Sequence, residues 1–260
     1  MRNIVEALVV AVPAHNEAAT LPATLRSIRR ALLESRNAGA LTVRLVVAAD
    51  SCTDTTSADA ARWGADVVEV RQRMAGAARA AAVARGLRSC GARPEATWIV
   101  TTDADCVVRP SWLTHQLDCA GRGWHCVLGT VRISPDPPVA ASVRALHEAH
   151  YFADRTGPDW SHPHVHGANL GIRGDVYLRA GGFPALPHSE DRALVDALPT
   201  RARILRTDAC PVLTSGRTAP RAPHGFGTYL GHLTARGRPS SSVDSPGPRT
   251  APHGAGPGDR

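Results

Sequence analysis

The chain has 260 residues, 43% of them apolar, a formal charge of +7 and no lysine, so all 30 basic residues are arginine. This length suits one large α/β domain or two small ones, and the missing lysine excludes a P-loop and Schiff-base chemistry. No window approaches the ~18 uninterrupted apolar residues of a membrane span; residues from Ser215 onward hold six Arg against two acids, which leaves the body at +3 and argues against a nucleic-acid surface.

In chain order, "MRNIVEALVVAVPAHNE" runs from an apolar segment straight into a polar motif. It has no small-residue cleavage pattern, so it reads as the start of a cytoplasmic protein and not as a signal peptide. "ALVVAVP" is a strand ending at Pro13. "EAATLPATLRSIRRALLES" is an amphipathic helix with Leu21, Leu25, Ile28 and Leu32 on one face. "VRLVVAAD" is a strand, "TDTTSADAARWG" a helix closed by Gly64, and "ADVVEV" a strand. "AGAARAAAVARGLRS" is an alanine-rich helix, and "TWIVTTD" a strand. Such βα repeats predict a mostly parallel sheet with helices on both faces, whose ligands sit beyond the carboxyl ends of the strands. Polar motifs stand at three of those ends: "PAHNE", "ADSCTD" and "DAD".

The second half alternates less regularly. "HCVLGTVRI" reads as a strand and "VAASVRALHEAHYFADR" as a helix. A loop with a short strand and helix follows in "GPDWSHPHVHGANLGIRGDVYLRAGGF", and then the helix "SEDRALVDAL". "ARILRT" and "CPVLTSGR" read as two short closing strands, and "GFGTYLGHLTA" as a last helix. From Gly237 the composition is Pro, Gly, Ser and Arg without periodicity, which predicts disorder over 237–260. Cys52, Cys90, Cys106, Cys119, Cys126 and Cys210 form no C-x-x-C pair and read as reduced structural thiols.

Asp103 and Asp105 end a strand built for burial, at alternate positions that point the same way. Burying both is costly without a cation, and Mg2+ or Mn2+ carrying a phosphorylated ligand would provide one. The plainer alternative is a turn ahead of the helix near Pro110. Asp50 can accept from a base amide or ribose hydroxyl, or be a loop acid beside a cap at Thr53 or Asp54. Asn16 and Glu17 can be only a helix start. Glu190 and Asp191, after Ser189, suit a helix N-terminus electrostatically, and either can serve as a general base. His162, His164 and His166 share one face of an extended segment. They can bind a transition metal, lie in a solvated loop, or place one His in a substrate site.

"VPAHNE", "VVAADSCTD", "TTDAD", "GANLGIRGDVYLRAGGF" and "SEDRALVDAL", in that order over about residues 7 to 215, resemble family 2 glycosyltransferases of the GT-A fold. The resemblance implies a single catalytic domain over 1–236, with a nucleotide-binding half to about residue 108 and an acceptor half from 109. It implies a UDP-, GDP- or dTDP-linked sugar donor, a divalent cation (Mg2+ or Mn2+) and an unknown acceptor, small or lipid-linked. By motif, Pro13, His15 and Glu17 line the nucleotide site, and Asp50 holds the base. Asp103 sits by the ribose or the metal, and Asp105 ligates the metal. Arg79 lies near the nucleotide, and Gly167 and Asn169 near the donor sugar. Asp191 is the catalytic base with Glu190 beside it. Arg217 is a further candidate for the diphosphate on charge alone. Ala80 replaces the Asn familiar after the Arg79-type position, and no Q-x-x-R-W motif is present, so a single transfer is expected over processive synthesis. A retaining transferase, a nucleotidyltransferase and a non-catalytic nucleotide-binding protein are the alternatives.

Overall fold

The computed structural model describes residues 4–35, 41–136, 138–155, 157 and 160–217. The helix expected in "GFGTYLGHLTA" and the tail 237–260 lie outside the described residues. β1 (Ala7–Ala14) is buried along almost its whole length, as a strand covered on both faces must be. It pairs in parallel with β2 (Thr42–Asp50) on one side and β4 (Thr97–Thr101) on the other, and β2 pairs with β3 (Asp66–Val70). Because strand side chains alternate, Leu8, Val10 and Val12 enter one core cluster with Trp98, Trp112 and α1 (Leu21–Ser35). Val9 and Ala11 enter the other, with Ile99 and α3 (Ala75–Ser89).

α1 buries Leu21, Leu25 and Ile28, with Leu32 at its margin. The helix begins at Leu21 and not at Glu17. Residues 17–20 form a turn in which the Glu17 carbonyl accepts from Thr20 N at 3.0 Å and Leu21 N at 2.8 Å. Pro22 then falls in the first helical turn, where a missing N–H costs nothing. α2 (Thr56–Arg62) does close on Gly64, at φ 74°. The small residues of α3 let it lie close to the sheet: a side chain at Gly86 would overlap Val9.

The sheet has eight strands in the order β3-β2-β1-β4-β7-β6-β8-β5. β7 (Leu170–Arg173) is antiparallel between β4 and β6 (Cys126–Ile133), and β5 (Cys106–Val107) is antiparallel to β8 (Ile204–Thr214). The other six strands run one way, as a mostly parallel α/β sheet requires. α4 (Trp112–Gly121), α5 (Ala141–Tyr151), α6 (Gly174–Arg179) and α7 (Glu190–Asp196) complete the layers. The two closing strands expected from the sequence are one strand, β8. Its pairing with β6 shifts register between Gly129 and Val131, close to Pro211, which has no N–H to give to a ladder. Asn169 fills that gap: its Nδ2 donates to Thr130 O at 2.9 Å and to Cys210 O at 3.0 Å. No described helix is long and apolar enough to cross a membrane.

Candidate functional site

The carboxyl ends of β1, β2 and β4 open into a cavity of about 820 Å3. It lies where an open α/β sheet exposes unpaired strand ends to a ligand. Pro13, His15, Glu17, Asp50, Arg79, Asp103, Asp105, Gly167, Glu190, Asp191 and Arg217 all line it. The fold thus gathers residues from both halves of the chain. Asn169 is the exception among the expected site residues: it is buried and off the cavity wall. Both its amide protons are spent on the β6–β8 gap, and its Oδ1 accepts from Trp112 Nε1 at 2.9 Å.

Two arginines organise the charge. Arg79 comes from the first turns of α3, and its side chain is 6% exposed. It donates to Asp103, just past β4, and to Glu190 at the start of α7. Burial works against its charge, but Asp103, Glu190 and Asp191 outweigh that and raise its pKa. Space for this clamp is made by glycine: a side chain at Gly167 would overlap the Arg79 guanidinium, and one at Gly76 would overlap Glu190. Arg217 reaches from beyond β8 to Glu17 Oε1 at 2.8 Å and Asp105 Oδ2 at 3.0 Å. Four carboxylates therefore share two guanidiniums, an excess of two negative charges. Asp105 registers it. Burial first, and Asp103 next, push its carboxyl up to about 6 against the pull of Arg217.

This excess is the test of whether a divalent cation fits. Asp103, Asp105 and Cys106 are the group of three whose ligand atoms lie within 4.8 Å of one another among the described residues. Burial and the neighbouring carboxylates hold the Cys106 thiol well above the usual range, so it stays protonated. A neutral thiol is no ligand for a hard cation, but two carboxylates with uncompensated charge suit Mg2+ or Mn2+. The residues present fit the group.

Asp50 is committed to the backbone. Its Oδ1 accepts from Gln72 N at 2.8 Å and Arg73 N at 2.9 Å, and its Oδ2 from Met74 N at 2.9 Å. Burial alone would raise its pKa; these N–H groups outweigh it and lower it. The acid thus pins the loop leading into α3 against the end of β2, with Arg73 held at φ 52°. His15 Nδ1 lies 2.7 Å from the Asp50 carbonyl and ties the first two strand ends together.

Asp191 lines the cavity from the first turn of α7, after Ser189 at φ 60° and within the field of Arg79. Its Oδ2 accepts from Gly167 N at 2.8 Å and its Oδ1 from Arg192 N at 2.7 Å. A carboxylate held by two N–H groups at fixed orientation keeps lone pairs for a substrate proton. Glu190, expected beside it as a second catalytic acid, is instead buried on Arg79.

The three histidines do share a face, but they form no metal site with one another among the described residues. Their rings stack at 5.7 and 5.9 Å, and each has its Nε2 engaged by the protein. The sequence reading missed Tyr151, His150 and Ser189 as cavity-lining residues. Tyr151 falls inside the helix expected over "VAASVRALHEAHYFADR", and nothing in its spacing signals a wall.

The family described as "Glycosyl transferase family 2" matches residues 9–179. No curated protein matches the sequence. Among solved structures, S. aureus TarS 1–349 in complex with UDP-GlcNAc is similar at 15% identity and TM-score 0.60, over 85% of this chain and 62% of that one. The same protein in complex with UDP is similar at 15% identity and TM-score 0.57, over 81% and 60%. S. aureus TarS itself is similar at 15% identity and TM-score 0.56, over 81% of this chain and 37% of that one. The chain therefore spans less than two thirds of the length of these structures.

Proposed function

The chain belongs to glycosyl transferase family 2, and from that membership we propose that it transfers a sugar from a nucleotide-sugar donor to an acceptor hydroxyl, with inversion. One observation carries the reading. A carboxylate pair with uncompensated charge lies at the strand ends of a cavity that Asp191 also lines. A UDP-linked donor is the first candidate, because the TarS structures with similar folds hold UDP-GlcNAc and UDP.

In this reading Pro13, His15 and the loop pinned by Asp50 form the nucleotide end of the site. Asp103 and Asp105 would hold Mg2+ or Mn2+, whose bound charge offsets that of the departing diphosphate. Asp191 takes the proton of the acceptor hydroxyl as its oxygen attacks the anomeric carbon. The bond to the diphosphate breaks on the opposite face, and its electron pair leaves with the nucleoside diphosphate. Arg79 and Glu190 hold α7, and with it Asp191, against the donor end. Residues 1–236 act as one catalytic domain, and the six unpaired cysteines favour a reducing compartment such as the cytoplasm.

Thermal unfolding of the full chain with UDP, GDP or dTDP, with and without Mn2+, tests the reading. A nucleotide at 100 times its Kd should stabilise by about 2.7 kcal/mol. A shift with one nucleotide that needs Mn2+ and disappears in Asp105→Ala is the expected result. The absence of a shift with every nucleotide overturns it.

A further inference from the structure

Part of the cavity wall is made by the end of α5, by Val131 of β6 and by the segment carrying His164 and His166. His164 stacks on Tyr151 at 3.8 Å and 10°. The proton positions on this wall follow from its partners. His162 Nε2 faces the Leu128 carbonyl at 3.0 Å and His164 Nε2 the Tyr151 carbonyl at 2.8 Å, so both carry hydrogen on Nε2. His166 is reversed. Its Nε2 meets Tyr151 Oη at 2.8 Å, and that oxygen already accepts from Val131 N at 3.1 Å. The phenol proton therefore goes to His166 Nε2, and the neutral ring carries its hydrogen on Nδ1. Nδ1 has no hydrogen-bond partner among the described residues, while the ring lines the cavity. Burial holds His166 down at about 3, so the ring keeps this neutral form at any ordinary pH.

The peptide that follows His166 gives Gly167 N, which holds the Asp191 carboxylate at 2.8 Å. The Nδ1–H donor and Asp191 are thus anchored on one peptide unit. The arginines lining the cavity among the described residues are Arg73, Arg79 and Arg217. Arg79 lies against Gly167, but its guanidinium is spent on Asp103 and Glu190; Arg217 is paired with Glu17 and Asp105, and Arg73 lies on the loop held by Asp50. Arg192, which acts on His164 and His166, is exposed and off the cavity lining.

We infer that His166 donates its Nδ1–H to an oxygen of the acceptor beside the one Asp191 deprotonates, and that this wall selects a neutral hydroxylated acceptor, a sugar or polyol. The inference rests on the transfer reading above and names the acceptor class for the same site. A phosphate or carboxylate here would be desolvated beside Asp191 and would have to compete with Asp103 and Glu190 for Arg79, whose guanidinium is already shared between them. A polyol would satisfy both groups, receiving a hydrogen bond from His166 and giving one to Asp191.

The test is saturation-transfer NMR on the full chain loaded with UDP and Mn2+. The neutral probes are methyl β-glucoside and ribitol; the anionic probes are glycerol 3-phosphate and 3-phosphoglycerate. The expected result is binding of the neutral probes alone. It weakens about tenfold in His166→Phe, as loss of a hydrogen bond in a water-poor site requires. It is largely kept in His166→Asn, whose amide can place a donor near the Nδ1 position. Tyr151→Phe, which frees the tautomer while keeping the ring, should lie between them. Preference for the anionic probes, equal binding by His166→Phe, or no binding of any probe overturns the inference. The UDP thermal shift reads the donor end alone. Its absence in the wild type sinks the transfer reading, and its retention in His166→Phe shows that a lost probe signal is not misfolding.

Discussion

At the strand-end side of the cavity, Glu17, Asp103, Asp105 and Glu190 share two guanidiniums. On the wall carrying His164 and His166, the polar groups are a phenol and imidazoles whose pKa values burial lowers. The two sides use burial in opposite ways. The acids outnumber their guanidiniums, with Asp105 pushed up by burial, and leave a negative excess that an incoming cation can balance. Desolvation of the histidines removes charge altogether and leaves directional hydrogen bonds. A charged, incompletely balanced site binds by electrostatics; a neutral one selects by shape and donor position.

The sharpest way to break this contrast is at Asp191, where the two sides meet. Asp191→Asn should cut the initial rate of sugar transfer by ~10²–10⁴-fold while leaving the UDP shift intact. If Glu190→Gln gave an equal loss with no loss of stability, the division between base and positioning acid would fail. Arg79→Met comes next. It leaves Asp103 and Glu190 without their shared cation, and denaturant unfolding should show a loss of ~3–5 kcal/mol. A smaller effect is expected at Gly76→Ala, which presses a methyl group onto Glu190 and the Pro184 carbonyl. Overpacking there should cost ~1–3 kcal/mol, readable as a lower urea midpoint at constant slope.

The neutral side has its own signature, in pH. An unfolded His titrates near 6.5, whereas His147 is lowered to about 4 and His166 to about 3, chiefly by burial. Between those values the unfolded chain binds protons that the native chain refuses. Stability should therefore fall as pH drops from 6.5 toward 4, by up to ~1.4 kcal/mol per pH unit for each group. Urea midpoints between pH 7.5 and 4.5 measure the slope, and His166→Phe should remove its share. An unchanged slope in that variant would mean that His166 already takes up protons in the native state.

The parallel half was legible because its signals are local. A short, apolar and β-branched run such as "TWIVT" favours a buried strand, and acids placed directly after it then lie at the strand end. The same local logic located Gly64 as a helix stop and the buried face of α1. The start of α1 was missed because Glu17 and Pro22 favour a turn before the helix. The single strand β8 was missed because Pro211 looks like a break, and its gap is filled by Asn169, some 41 residues earlier than Cys210.

The sequence by itself determined which residue types stand at the carboxyl ends of the strands, because strand periodicity and turn chemistry act over a few neighbours. Tertiary structure alone decided what those residues do. Arg79 meets Glu190 across 111 positions, and Arg217 meets Glu17 across 200. The His166 tautomer depends on a phenol 15 positions earlier and on a β6 N–H. Charge balance, burial and proton position depend on distance in space, and that distance is set by packing between elements remote in the chain.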